Sequence, residues 1–336
     1  MSKIGFFRKN LIKWVPGVLL SLIAILFMIF ALDWTGFSTA LKSVQLVPMI
    51  LLFCLAVLSV FFRGIAWHFL LRREASIVDS FLIENVGYLL NNFLPLRMGE
   101  VGRAILMGQK TGKGFFETLS TIVIERFFDI CFAGITLLIA LPFLIDTDFG
   151  TSTLFITFGI VAVGLGVSFW AAKSKVKIEK KLVQLQEKKP IFAKVTPIVV
   201  SLVDGLQVML EPKRFLSFIG MMILTWLTYW VSYFIIIRQF VPDAPFWWAL
   251  LVDGVVALGI AIPSAPGSLG VWEASFVGSL AVVGVAQSQA LTGAILLHLI
   301  NYLNSGIFGL IGLIRYGRSF SDLFSEIQLR KNQSDK

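Results

Sequence analysis

The feature that most constrains this chain is a set of long apolar runs with no charge inside them. Val15 to Leu32, for example, carries no ionisable side chain. A helix rises about 1.5 Å per residue, so a run of about 20 residues matches the roughly 30 Å hydrocarbon core of a bilayer. In lipid only a helix or a closed barrel satisfies every backbone N–H and C=O internally. Composition agrees: 57% of the 336 residues are hydrophobic and 15% charged, where soluble domains are about 25% charged. The expected fold class is therefore all-α, a polytopic membrane helical bundle. The first run follows Lys3, Arg8, Lys9 and Lys13. It is too long for the apolar region of a secretory signal and has no small-residue cleavage site after Leu32, so it is expected to be a retained helix. Cys54 and Cys131 fall inside apolar spans, where packing suits them better than a disulfide or a thiolate metal site.

Apolar windows predict six full spans: Pro16 to Leu32, Leu46 to Leu70, Glu117 to Leu144, Thr153 to Ala172, Phe215 to Phe240 and Gln289 to Ile314. Two further apolar stretches, Ile77 to Gly108 and Phe246 to Gly284, are interrupted midway by proline and glycines. Such a break suits two half-helices that enter the membrane and turn back against protein or a water-filled cavity. The proposed cytoplasmic segments hold 23 of the 29 Lys and Arg residues, ten of them between Lys173 and Arg214, whereas the external loops hold only Lys42. The positive-inside rule then puts both termini in the cytoplasm of a cell-membrane protein. The net charge of +9 flanks membrane spans instead of forming one aromatic-interleaved face, which excludes nucleic acid and favours an anionic leaflet. The expected division is membrane repeat A over 1–150, with re-entrant 77–108, and membrane repeat B over 151–327, with a basic interfacial segment at 173–214 and re-entrant 246–284. A disordered cytoplasmic tail is expected over 328–336. A solvated linker interrupted by Pro190 and Pro197 is the alternative for 173–214.

The two breaks repeat. Pro95, Gly99 and Gly102 form PxxxGxxG, as do Pro263, Gly267 and Gly270, and the offset is 168 residues at each position, half the chain. The same offset carries the span at Leu46 onto that at Phe215 and the span at Glu117 onto the last one. Counting crossings gives the halves opposite orientation. This is the inverted-repeat plan of secondary transporters, in which broken helices meet near the midplane and half-helix amino ends face an anionic group. A simple proline kink is the plainer alternative.

Ionisable groups at membrane depth are costly and mark function by default. Arg97, Glu100 and Arg103 follow the first break, where amide donors and a guanidinium fork would suit a phosphate; the competing reading is that the arginines pair with Glu100 or Glu125 to hold the loop. Glu125 and Asp129 share a helix face at i, i+4, and Arg126 lies beside them, fit for charge coupling or for a structural network. Asp253 and Glu273 flank the second break. Arg63 and Arg238 read as paired or snorkelling residues. His68 and His298 read as packing residues, with His298 and Asn301 also able to line a cavity. No metal site or cofactor is expected, and no common catalytic signature occurs.

The segments "NNFLPLRMGEVGRAILM", "ETLSTIVIERFFDI" and "IAIPSAPGSLGVWEASF" resemble the flippase-like transmembrane region of lysyl-phosphatidylglycerol synthases, a family that also has stand-alone members of unassigned function. The resemblance spans nearly the whole chain. It implies movement of a lipid headgroup between leaflets and assigns cavity roles to Asn92, Pro95, Arg97, Gly99, Glu100, Arg103, Glu125, Arg126, Pro263, Pro266, Gly267, Gly270 and Glu273. The aminoacyl-transfer domain of the two-domain synthases has no counterpart here, so synthesis of aminoacylated lipid is not expected. The leading expectation is a lipid flippase-like transporter whose partners are membrane lipids with an anionic phosphate headgroup, with Asp129 joining the substrate-binding set. The alternatives are a membrane enzyme acting on polyprenyl- or glycolipid phosphate, a non-catalytic scaffold of a lipid-modifying complex, and, for assembly, a homo-oligomer.

Overall fold

A computed structural model describes residues 19, 21–26, 30, 32–94, 97–144, 149–188, 191–262 and 264–334. The predicted first span, Pro16 to Leu32, therefore lies partly outside the described residues, and Pro95 and Pro263 lie wholly outside them. In chain order the helices are α1 (Trp34–Lys42), α2 (Leu46–Leu70), α3 (Ile77–Phe93), α4 (Met98–Thr111), α5 (Phe115–Leu144), α6 (Phe149–Lys173), α7 (Lys175–Lys188), α8 (Ile191–Leu206), α9 (Pro212–Arg238), α10 (Trp247–Gly259), α11 (Val271–Ala281), α12 (Gln287–Arg315) and α13 (Phe320–Ser334).

Four of these, α2, α5, α9 and α12, are long and apolar enough to cross a membrane. They coincide with four predicted spans, and Thr153 to Ala172 falls within α6. The elements on either side of each break are shorter: α3 and α4 have 17 and 14 residues, α10 and α11 have 13 and 11. At about 1.5 Å per residue none reaches the roughly 30 Å of a hydrocarbon core.

Local chemistry sets the ends. Asp33 caps α1 by accepting from the Thr35 amide at 3.1 Å, and Ser76 caps α3 by accepting from the Asp79 amide at 3.0 Å. Pro212 opens α9, where its missing N–H costs nothing. Gly112 ends α4 in the left-handed region at φ 72°. Ser319 and Asp322 form a reciprocal capping box at α13, with 3.1 Å and 2.9 Å bonds. That helix continues to Ser334, through the stretch from Gln328 that the sequence reading leaves as a disordered tail. Leu323 and Ile327 are fully buried and anchor it. The basic segment forms α7 and α8, and Pro197 sits within α8 without ending it.

The packing repeats as the sequence does. Helix α2 runs along α9, and the contacts around the two breaks come in matched pairs: α3 on α12 as α10 on α5, α3 on α4 as α10 on α11, and α4 on α5 as α11 on α12. The broken element of each half thus leans on the long helix of the other. Helix outer surfaces are apolar, with Val47, Phe155 and Ile314 more than three-quarters exposed, whereas Arg63, Glu84, Arg103 and Glu125 are buried. That inside-out distribution is what lipid as solvent requires.

Glycines permit the closest approaches. A Cβ on Gly99 would stand 1.9 Å from the Gly87 carbonyl oxygen, and one on Gly87 would meet the Arg103 side chain at 2.4 Å, so α4 folds back onto α3 at the first break through bare backbone. Gly220→Ala, where a Cβ meets nothing within 4 Å, serves as control. Gly99→Ala is expected to destabilise the detergent-purified protein by about 1–3 kcal/mol, while Gly220→Ala leaves thermal unfolding unchanged or slightly raised.

Candidate functional site

The site begins with the chain's treatment of charge. Along α3, Glu84 and Tyr88 stand one turn apart and Asn91 one turn further on, so one face of an apolar helix carries three polar groups. Past the break, Arg97 is the residue before α4 and adopts φ 53°, ψ 40°, a left-handed conformation that costs a residue with a Cβ about 1–2 kcal/mol. Its Nη2 donates to the Ile260 carbonyl at 2.6 Å, joining the first break to the second. The Gly99 amide, unpaired by helix geometry, donates to Asn91 Oδ1 at 2.7 Å.

Four arginines and four carboxylates form one lattice. Glu125 accepts from Arg63 at 2.9 Å, Arg103 at 3.0 Å and Arg126 at 2.8 Å. Glu84 lies 3.3 Å from Arg63 and also pairs with Arg103. Asp129 pairs with Arg63 and lies 3.1 Å from Arg126. Glu100 lies 3.5 Å from Arg126 and 3.8 Å from Arg97. The Trp67 ring packs under the Arg103 guanidinium at 4.2 Å, and its indole donates to Thr121 at 2.9 Å. Burial is graded: the side chains of Glu84 and Glu125 are 0% exposed and those of Arg63 and Arg103 3%, but Arg126 is 27% and Arg97 34% exposed. The deep end is a closed ionic core, and the shallow end presents two guanidinium groups to open space.

That space is a pair of adjoining cavities of about 450 Å³ and 170 Å³ that share Tyr88, Asn92, Arg97, Arg126, Ile260 and Trp272 as walls. The larger adds Arg63 and Asp129 from the first half and Tyr229, Tyr233, Asp253, His298 and Tyr302 from the second. The smaller adds Glu100, Arg103 and Gly267. Asn92 also donates to Ser305 at 2.9 Å, binding α3 to α12. At the second break, Glu273 Oε2 accepts from the Gly270 amide at 2.7 Å, and its Oε1 lies 2.5 Å from His298 Nδ1. The His298 ring packs between Trp272 and Tyr302, each 4.8 Å away. Gly267 and Gly270 have positive φ and accept neighbours that a Cβ would strike, Tyr302 and the Ser21 carbonyl respectively.

Of the residues singled out in the sequence, Asn92, Arg97, Glu100, Arg103, Arg126, Asp129 and Gly267 line the cavities. Glu125 lies beneath them as the shared counter-ion, Gly99, Gly270 and Glu273 shape the breaks, and Pro266 opens the short turn before Gly267. Pro95 and Pro263 fall outside the described residues. Arg63 is more than a paired or snorkelling side chain: it reaches Glu84, Glu125 and Asp129 together. Arg238 remains peripheral, donating to the Pro242 carbonyl at 2.5 Å. Glu84 is absent from the sequence-derived set, although a glutamate inside an apolar stretch is itself the signal. Tyr88 had no such signal.

Removing a shared buried counter-ion strands several charges at once. Glu125→Ala is expected to destabilise the protein by about 3–5 kcal/mol, read as a large drop in the tryptophan-fluorescence unfolding temperature in detergent. Arg97→Ala, at the exposed end, is expected to cost no more than about 1 kcal/mol.

Comparison with known proteins follows the same outline. The chain is 24% identical over 325 residues to a UPF0104 membrane protein of Methanothermobacter thermautotrophicus, covering 91% of this chain and 94% of that one. It is 25% identical over 232 residues to another of Methanocaldococcus jannaschii, covering 66% and 92%. No solved structure matches. Residues 14–309 match the family model described as the lysylphosphatidylglycerol synthase TM region, and with so much of its length matched this membrane protein belongs to that family.

Proposed function

We propose that this protein moves lipids with an anionic phosphate headgroup between the leaflets of the cell membrane by alternating access. The observation that carries the reading is the pair of guanidinium groups, Arg97 and Arg126, at the junction of two cavities walled by both halves of the chain. Each is about one-third exposed while its deeper neighbours are sealed, so the lattice orients them without consuming all their donors. A guanidinium fork holds a phosphate through parallel charge-assisted bonds. The headgroup sits in the cavities while the acyl or prenyl chains stay in the bilayer.

Two features support transport over hydrolysis or transfer. Three of the four acids beside the cavities, Glu100, Glu125 and Asp129, are each already engaged by an arginine, and the fourth, Asp253, stands alone. The broken helices are too short to cross singly, which suits re-entrant pairs related by the 168-residue repeat, in opposite orientation, rocking about the site between them. Both termini lie in the cytoplasm on this reading, as the Lys and Arg distribution requires.

The transport test is transbilayer movement of labelled anionic, zwitterionic and polyprenyl-phosphate lipids in proteoliposomes. The parent is expected to accelerate a phosphate-bearing lipid. Arg97→Ala, losing bonds to a charged group worth about 1.5–3 kcal/mol each, should be at least about tenfold slower while remaining folded. Equal rates in both proteins sink the site assignment. Topology is checked separately with Cys54 and Cys131 replaced: a cysteine at Lys42 should react with an impermeant thiol reagent in intact cells, and one at Lys110 only after the membrane is opened.

A further inference from the structure

Every other carboxylate placed at the breaks or in the lattice has a partner. Glu84, Glu100, Glu125 and Asp129 face arginines, and Glu273 holds His298 and the Gly270 amide. Asp253, in the middle of α10, has no charged partner among the described residues. It is 4% exposed, it lines the larger cavity, and no arginine, lysine or histidine among the described residues lies within ion-pair distance of it. Its one polar neighbour is the neutral Trp230 indole, which approaches without completing a well-formed hydrogen bond, so that Asp253 Oδ2 and Trp230 Nε1 are both buried and Asp253 meets no positive charge. Helix α5 turns Asp129 toward it, a second negative group, with Glu125 and Arg126 in the lattice behind. Helix α9 presents Tyr229 and Tyr233, and α11 presents Trp272 and, beyond it, the His298-paired Glu273.

The repeat sharpens the contrast. The residue 168 positions before Asp253 is Asn85, which is satisfied there by Asn304 at 3.4 Å and by the Phe81 carbonyl at 2.9 Å. The counterpart of Asn304 is Thr136, fully buried with its hydroxyl unpartnered. One half closes this position with amides, and the other puts an unneutralised acid beside the cavity. An isolated carboxylate at membrane depth is costly and is relieved by taking up a proton. A metal cation would need several oxygen ligands, and here the second acid, Asp129, is already paired with Arg63 and Arg126, leaving Asp253 among indole and phenol rings.

We propose that Asp253 is a proton-binding site that couples lipid movement to the transmembrane proton gradient, loading a proton when the cavity faces one side and releasing it when it faces the other. This rests on the transport reading above. With one proton moved per lipid, a gradient of one pH unit shifts the leaflet distribution of the lipid by up to about tenfold.

The experiment measures the steady-state leaflet ratio of the transported phosphate lipid in proteoliposomes, with and without a pH gradient, comparing each protein with itself. The parent and Asp253→Glu should shift the ratio with the gradient; Asp253→Asn should give the same ratio in both conditions. A parent indifferent to pH, an Asp253→Asn protein that still responds, or a sodium gradient that reproduces the shift at matched pH each overturns the proposal. If the parent moves no lipid at all, the transport reading fails, and infrared difference spectra then test the site alone. A protonated-carboxyl band that Asp253→Asn removes supports proton binding at Asp253, and its absence from the parent overturns it.

Discussion

Glu125 holding three guanidinium groups is the contact on which the rest of the structure depends. A carboxylate or an arginine transferred singly into a low-dielectric interior costs many kcal/mol, and only mutual pairing with good geometry recovers that cost. Here Arg63 comes from α2, Glu84 from α3, Arg103 from α4, and Glu125 from α5. None of the four can be buried until the others arrive, so the lattice fixes the relative placement of the whole first half. The apolar packing around it, with Trp67, Ile83, Leu90 and Ile105 fully buried, seals the charges from lipid.

That requirement also explains the glycines. The Arg103 stem passes over Gly87, and α4 approaches α3 at Gly99; a side chain at either position pushes Arg103 away from Glu84 and Glu125. The left-handed Arg97 is the other product of this tight return. Its guanidinium reaches across to Ile260, so strain at the first break is balanced by a bond to the second, and the site straddles both halves.

The halves share an architecture and divide the chemistry. Moved by 168 positions, Arg63, Glu84, Arg103, Glu125, Arg126 and Asp129 fall on Val231, Val252, Val271, Gly293, Ala294 and Leu297. In return, Glu273 and His298 correspond to Ile105 and Ile130. One half is an ionic core with a cationic edge; the other supplies aromatic walls and two acids. The cavity between such halves has its guanidinium groups on one side and most of its aromatic rings on the other. Family membership shows the chain's kinship and its membrane setting.

By itself the sequence determined the class of solvent, four of the long spans, the two breaks and their repeat, because these follow from local hydropathy and from what proline and glycine do to a helix. It also marked Arg97, Arg103, Glu125 and Arg126 as costly residues at membrane depth. What it left undecided was which charge meets which. Arg63 is 62 residues from Glu125, and nothing local distinguishes it from Arg238, yet one closes the ionic core and the other bonds a loop carbonyl. The helical course to Ser334 escaped it too, because polar composition hides two buried anchors, Leu323 and Ile327. Pairing, graded exposure and the isolation of Asp253 are properties of helices brought together from distant parts of the chain, so only the tertiary structure could decide them.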